Sequence, residues 1–533
     1  MKKLLILLLI LSLALLSSCD IGGDKSYVCE QHEDADANGL CDTCGGPVST
    51  GTGGESCAEH KDDDDNGKCD TCSVSVLVYI DFYAVNDLHG KLCDTDIQPG
   101  VDELTTYLKA ASSNKNAVIL SSGDMWQGSP ESNLTGGRIV TDWMNEVGFV
   151  SMTLGNHEYD WGVEYIEQNQ ELAAFPFLAI NVYDRATETR VDYADASVVV
   201  ERDGIQIGII GAIGDCYSSI SSDKVEDIYF KTGKELTALV KNEATRLRAE
   251  GVDFIVYSLH DGWNQTKTET GLIGDSQLSS YYDPSLSEGY VDLVFEAHTH
   301  QRYVMYDSDN VYHLQGSGEN KGISYAKVSV NSVTGTSSTA YASFVSSNDY
   351  KLHEPDGVID DLIEKYDDEI SVAYRVLGNN SHYRNSTYVR NLVARLYLEA
   401  GLREWESEYE IFLGGGFISV RSPYNLSAGE VTYGDLQMLL PFDNQLVLCS
   451  IKGSDLRTRF LETDNENYFI ALNPGVDPED IDDDKIYYVI TDTYCSSYAW
   501  NRLTVVAEYA EGIYARDLVA EYIENGGLED NEE

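Results

Sequence analysis

The chain has 533 residues, too many for one ordinary domain, and 42% of them are hydrophobic, enough to fill more than one core. That composition excludes an acidic disordered polymer. With 90 Asp and Glu against 36 Lys and Arg, the formal net charge of −54 repels nucleic acid and excludes a nucleic-acid-binding protein, but not a phosphate substrate, because bound metal ions invert the field locally.

The chain opens on Lys2 and Lys3, an apolar run from Leu4 to Leu16, and Ser17-Ser18-Cys19. A charged start and a short apolar core make residues 1–18 a secretion signal, since the run is too short for a comfortable membrane span. Leu16-Ser17-Ser18-Cys19 resembles a bacterial lipobox, which implies a lipoprotein signal peptide and acylation at Cys19. The chain is then expected on the cell membrane, lipid-anchored and facing the extracellular side or periplasm. An ordinary cleaved signal followed by an incidental cysteine is the other reading.

Residues 19–73 hold a duplicated acidic unit. Cys29, His32, Asp34, Asp36, Asn38, Gly39, Cys41, Asp42 and Cys44 recur at the same spacing as Cys57, His60, Asp62, Asp64, Asn66, Gly67, Cys69, Asp70 and Cys72, across a Gly- and Ser-rich linker. Neither unit has the apolar residues for a core, so each needs a staple. One imidazole and three sulfurs suit a structural Zn²⁺, Asp-x-Asp-x-Asn-Gly suits the start of a Ca²⁺ loop, and disulfides suit an exported chain. A histidine fixed in both units is left unexplained by disulfides. The units resemble short acidic Cys/His repeats of bacterial surface proteins.

From Val74 the pattern changes. Val74–Val85, Ala117–Ser121, Phe177–Asn181, Ile205–Ala212, Asp253–Ser258 and Asp292–Glu296 read as strands, and Lys231–Glu250 reads as a helix. This alternation predicts an α/β architecture over residues 76–345. The charged stretch Asp356–Leu377 is expected as a linker helix within 350–378. Thr387–Ala400 is expected as an amphipathic helix in a second body, residues 380–525, before an acidic tail at 526–533.

Five short motifs end strand-like runs: Asn86-Asp87-Leu88-His89-Gly90, Gly123-Asp124-Met125-Trp126-Gln127-Gly128-Ser129, Gly155-Asn156-His157-Glu158-Tyr159-Asp160-Trp161-Gly162, His260-Asp261-Gly262 and His298-Thr299-His300. Loops at the carboxyl ends of strands converge on ligands in open α/β sheets. All five carry hard or borderline metal donors.

Together and in this order they resemble the calcineurin-like metallophosphoesterases, with Gly-Asn-His-Glu the sharpest marker. The resemblance implies a four-layer β-sandwich flanked by helices and a site for two divalent metal ions. It implies Asp124 as the bridging carboxylate, with Asp87, His89 and His300 completing one site and Asn156, His260 and His298 the other. The mixed N/O donor set suits Zn²⁺, Mn²⁺ or similar ions. His157 would stabilise charge on the transferring phosphoryl group, Asp160 would orient it, and a metal-activated water would be the nucleophile.

The second body resembles the C-terminal domain of bacterial 5′-nucleotidases through Gly414-Gly415-Gly416, Gly429-Glu430-Val431-Thr432-Tyr433-Gly434-Asp435 and Leu440-Pro441-Phe442-Asp443-Asn444. The resemblance implies a smaller α+β domain that binds the nucleotide, with Phe442 and Tyr494 clamping the base. The glycines are expected to let the backbone approach a ligand. The family's Asn-Gly-Gly-Gly-Ile-Arg is altered: Leu413 replaces the asparagine and the nearest arginine is Arg421. Arg421, and less directly Arg384, are the expected phosphate contacts. The usual sugar-contacting aspartate has no match.

The chain is thus expected to be an extracellular 5′-nucleotidase, a metal-dependent phosphoric ester hydrolase acting on nucleoside monophosphates. Hydrolysis of nucleotide-sugar or NAD diphosphates, or of 2′,3′-cyclic nucleotides, would use the same metals. A reading of another class is an inactive surface binding or adhesion protein.

Overall fold

The computed structural model describes residues 59–94, 99–264, 269–421, 424–463, 465–509 and 512–529. The signal at 1–18 and Cys19, Cys29, His32, Cys41, Cys44 and Cys57 lie outside the described residues. Among the described residues, 59–61 and Cys69–Val74 fall in one compact unit, and Asp62–Lys68 with residues 75–529 in the other. Among the described residues no helix is long and apolar enough to cross a membrane.

The alternation after Val74 builds two packed sheets. The first runs Ser337–Ser346, Gly322–Asn331, Leu77–Val85, Ala117–Ser121, Ser151–Thr153, Phe177–Leu178. The second runs Glu269–Leu272, Tyr303–Tyr306, Tyr312–Gln315, Leu293–Glu296, Phe254–His260, Ile205–Ile213, Ser197–Arg202. Strand periodicity explains the stacking: Ile80, Phe82, Ala84, Val118 and Leu120 of one sheet meet Ile207, Ile209, Phe254, Val256 and Phe295 of the other. The outer faces are covered by helices. Trp143, Met144, Leu104 and Leu108 cover the first, and Leu236, Val240, Ala244 and Leu247 of the helix Gly233–Ala249 cover the second. The result is the four-layer α/β/β/α sandwich.

Where strand lengths differ from expectation, pairing explains the change. Ile213 pairs with His260 at the end of the parallel ladder, so both strands extend to the site. Phe177 begins a strand of two residues only, because Ala179 N donates to Asp195 O and Ile180 N donates to Gly211 O instead of continuing the sheet. Asp356–Leu377 is not one helix. It breaks into Val358–Lys365, Asp367–Ile370 and a 3₁₀ turn Ser371–Tyr374, with Tyr366 non-helical between the first two and donating its hydroxyl to buried Asp142 at 2.8 Å.

The C-terminal body is a five-stranded sheet ordered Tyr468–Leu472, Ile411–Phe417, Ile486–Asp492, Leu446–Lys452, Thr504–Glu508. The helix Ser386–Trp405 starts on Asn385, whose side chain accepts from Tyr388 N, and it buries Val389, Leu392, Val393, Tyr397 and Ala400 on this sheet. The glycine triplet sits inside the strand Ile411–Phe417. A Cβ on Gly414 would meet Leu398 N at 2.4 Å and one on Gly415 would meet Phe469 O at 2.1 Å. The expectation of ligand approach is corrected at these two positions: their glycines make room for the chain's own backbone.

Candidate active site

The five motif loops gather at one end of the two sheets. Asp87, His89, Asp124, His298 and His300 all hold φ between 50° and 67°, a region that costs a non-glycine residue energy and is over-represented at functional sites. The strain aims their side chains at one point. Asp87, His89 and His300 offer donor atoms within 4.8 Å of one another, as do Asp87, Asp124 and His260, and His89, Asp124 and His157. Asp124 is common to two of these groups. Asn156 joins through its Oδ1, 3.2 Å from His260 Nε2.

Tautomers decide what the cluster wants. His89 Nδ1 lies 2.9 Å from the carbonyl of Gln127, and His260 Nδ1 lies 2.7 Å from the carbonyl of Ser122. A carbonyl can only accept, so each Nδ1 carries the hydrogen and each neutral ring presents its Nε2 lone pair inward. Yet His89 Nε2 faces His300 Nε2 at 3.0 Å, and His260 Nε2 faces Asp124 Oδ2 and Asn156 Oδ1, both at 3.2 Å. Lone pairs that converge without enough hydrogens between them are the signature of a cation site. Electrostatics agree at His89, which burial, Arg421 and His300 hold well below its usual range. At His260 burial disfavours charge but Asp124 beside it lifts the imidazole to about 10, so with no cation between them the ring is protonated and its Nε2–H faces Asp124; a bound cation would take the place of that proton. The donor set fits divalent metal ions.

His157 stands beside this cluster. Its ring centroid is 5.1 Å from that of His89, and its Nδ1 meets Asp160 Oδ2 at 2.6 Å. Burial opposes its charge, but Asp160 and Asp124 outweigh it and raise the imidazole above its ordinary value. The backbone N–H of His157 donates to Asp124 Oδ1 at 2.9 Å.

The C-terminal body reaches the same place. Arg421 Nη2 donates to Gln127 Oε1 at 2.9 Å. Phe442 stacks near His157, with centroids 6.1 Å apart and planes at 28°, and the Arg421 guanidinium lies 5.9 Å from its ring centre. Arg516 ion-pairs with Asp443 and donates to the carbonyl of Phe442, fixing that loop. Tyr494 belongs to a neighbouring aromatic group, 5.9 Å from Phe417 and 5.1 Å from Tyr498. Arg384 is not brought in: its guanidinium covers Tyr388 and its backbone pairs with Leu426, in a separate cleft with Tyr522.

Several contributors escaped the sequence reading. The buried Glu158 carboxylate accepts from the backbone N–H groups of Asp124, Met125, Trp126 and Gly155 at 2.7–3.3 Å, clamping two motif loops together. Lys91, 2% exposed, donates to Gly128 O, and burial together with Arg421 lowers it to about 7. Cys216 lies within ligand distance of His260 and His298, but its thiol donates to His260 O at 2.9 Å. Gly214-Asp215-Cys216 follows the strand Ile205–Ile213, so the strand-end rule pointed to it.

The family comparisons agree with this geometry. The model of the calcineurin-like phosphoesterases matches residues 80–302, and that of the 5′-nucleotidase C-terminal domain matches residues 376–472. This chain is a calcineurin-like phosphoesterase with a 5′-nucleotidase C-terminal domain. The phosphoesterase is 25% identical over 406 residues to protein UshA of Yersinia enterocolitica, covering 67% of this chain and 69% of that protein. It is likewise 25% identical to a 5′-nucleotidase of Vibrio vulnificus, with the same 67% and 69% coverage. Its fold matches the 5′-nucleotidase precursor of Thermus thermophilus with a TM-score of 0.62 at 18% identity, over 84% of this chain and 96% of that one. The fold implies a two-metal site.

Proposed function

We propose that this phosphoesterase is an extracellular 5′-nucleotidase that hydrolyses nucleoside monophosphates to nucleoside and phosphate. The observation that carries the reading is the meeting of two bodies: Phe442 and Arg421 of the C-terminal body lie against His157 and Gln127 of the histidine cluster. A base-stacking ring and a phosphate-pairing guanidinium beside one metal cluster are what a nucleotide monophosphate requires.

Asp87, His89, Asp124 and His300 would hold one divalent ion, and Asp124, Asn156, His260 and His298 the other, with Zn²⁺ or Mn²⁺ the best fit to the donors. Bound there, the two ions supply Lewis-acid polarisation of the phosphoryl group and activation of the attacking water. The remaining work belongs to side chains. His157, with Nδ1–H donated to Asp160, keeps Nε2 for the substrate, where an imidazolium stabilises phosphoryl charge and protonates the leaving ribose oxygen. Arg421 would pair with the phosphate, and Phe442 and Tyr494 would hold the base.

The deciding experiment measures phosphate release from AMP, UDP-glucose and bis-p-nitrophenyl phosphate with added Mn²⁺. AMP should be fastest. A faster UDP-glucose or diester would replace the reading with the diphosphatase or the cyclic-nucleotide phosphodiesterase. Inactivity on all three, with metal confirmed bound, would leave a surface binding protein. The lipobox at Cys19 supports anchoring to the outer face of the membrane; Cys19→Ala should move the protein to the soluble fraction, and continued membrane association would refute the anchor.

A further inference from the structure

The second acidic unit has a chemistry the hydrolase does not use. His60, Cys69 and Cys72 bring one imidazole nitrogen and two sulfurs within 4.8 Å of one another, and Cys72 Sγ lies 3.5 Å from His60 Nδ1. No Cys69–Cys72 disulfide is present. The backbone makes a tight knuckle around them: Ser73 N donates to Cys69 O, Cys69 N donates to Val74 O, and Asp70 N donates to Lys61 O, all at 2.7–2.8 Å, while Ser73 takes a left-handed φ of 59°. Cys69 is 1% exposed.

The acidic loop between the ligands does different work. Asp62 accepts from Asn66 N at 3.0 Å and from Gly67 N at 2.9 Å, and Asn331 Nδ2 donates to Asp62 Oδ2 at 2.6 Å. Asp65 Oδ1 accepts from Asn331 Nδ2 at 2.9 Å and Thr334 Oγ1 at 2.8 Å. These carboxylates seat the loop Asp62–Lys68 on the hairpin turn between Gly322–Asn331 and Ser337–Ser346, and they are engaged by nitrogen and hydroxyl donors.

We propose that His60, Cys69 and Cys72 hold a structural zinc ion that locks the segment preceding the phosphoesterase body. Soft sulfur and imidazole donors select zinc over calcium. A tetrahedral ion takes four donors, and His60, Cys69 and Cys72 supply three of them. The ion supplies the staple that a unit without an apolar core lacks.

The test uses the full chain isolated under reducing conditions. Alkylation of Cys69 and Cys72, read by mass spectrometry, should be slowed at least tenfold by zinc and restored by a chelator. This arm needs no variant and is unaffected by misfolding. Cobalt(II) should give a thiolate charge-transfer band that weakens in Cys69→Ser/Cys72→Ser and persists in Cys216→Ser, which removes the thiol near His260 and His298. Zinc bound per chain should fall by one ion in the double variant. Equal alkylation with and without zinc, protection by calcium instead, or Cys69 or Cys72 recovered in a disulfide would each overturn the proposal.

Discussion

Asp124 and His157 are joined by a 2.9 Å hydrogen bond but have different proposed roles. Asp124, like Asp87, belongs to two donor groups, and it is the proposed bridge, so Asp124→Asn should lose metal along with activity. His157 is no metal donor in the proposed mechanism, so His157→Ala should keep its metal and fold while losing roughly two to four orders of magnitude in rate. Metal analysis of both purified variants separates the roles, and a metal-free His157→Ala protein would contradict them. Glu158 acts one step further out. Its four N–H partners suit an acceptor-only carboxylate. In Glu158→Gln an amide NH₂ must face a backbone N–H, at a cost of about 1–3 kcal/mol. The melting temperature should drop and metal affinity fall with it; an unchanged melting temperature together with full metal content would remove Glu158 from the scaffold.

Among the elements, the strands that carry ligands also carry a buried polar chain behind the site. Leu293–Glu296 pairs with Tyr312–Gln315, and there His313 Nδ1 meets Glu296 at 2.8 Å while Nε2 faces Asp307 at 3.6 Å. Tyr303 also donates to Glu296, and Gln315 accepts from Thr299 Oγ1 and Gln301 N, so the chain ends on the His298–His300 loop. Burial works against a charged His313, but Glu296 and Asp307 outweigh it and raise the imidazole to about 9. A folded value above the unfolded one of about 6.5 means a contribution to stability that is fully present below pH ~6.5 and lost as pH rises toward ~9. Denaturant unfolding across that window should show stability falling with pH, and His313→Gln should flatten the slope. An identical slope in the variant would assign the pH dependence elsewhere.

At the scale of the whole molecule, the site is complete only because a second body faces the first. The loop bearing Phe442 is braced by Arg516, and Arg421 spans 294 residues of sequence to reach Gln127. Phe442→Ala should raise KM for AMP far more than for a small aryl phosphate, which has no base to stack; equal effects would mean that Phe442 only packs. Arg421→Ala should instead weaken both substrates about 10- to 100-fold, the usual worth of a charge-assisted hydrogen bond to phosphate. A variant with unchanged KM for both would place the phosphate elsewhere.

Strand and helix periodicity in the sequence by itself determined an α/β body, because that periodicity sorts residues onto sheet and helix faces. The motifs at the strand ends were legible too, since each is a run of a few residues. The four-layer sandwich, and Asp87, His89, Asp124, Asn156, His260, His298 and His300 as the metal donors, were expected from the family resemblance those motifs carry. Contacts between distant segments have no such local signature. Only the tertiary structure decided that Arg421 enters the site and Arg384 does not, because each follows from how one loop folds against another. Only it showed that Gly414 and Gly415 relieve backbone crowding, and that Glu158, Lys91 and Cys216 surround the cluster. A buried carboxylate and a buried lysine look like surface residues in sequence, and burial is a property of the assembled layers.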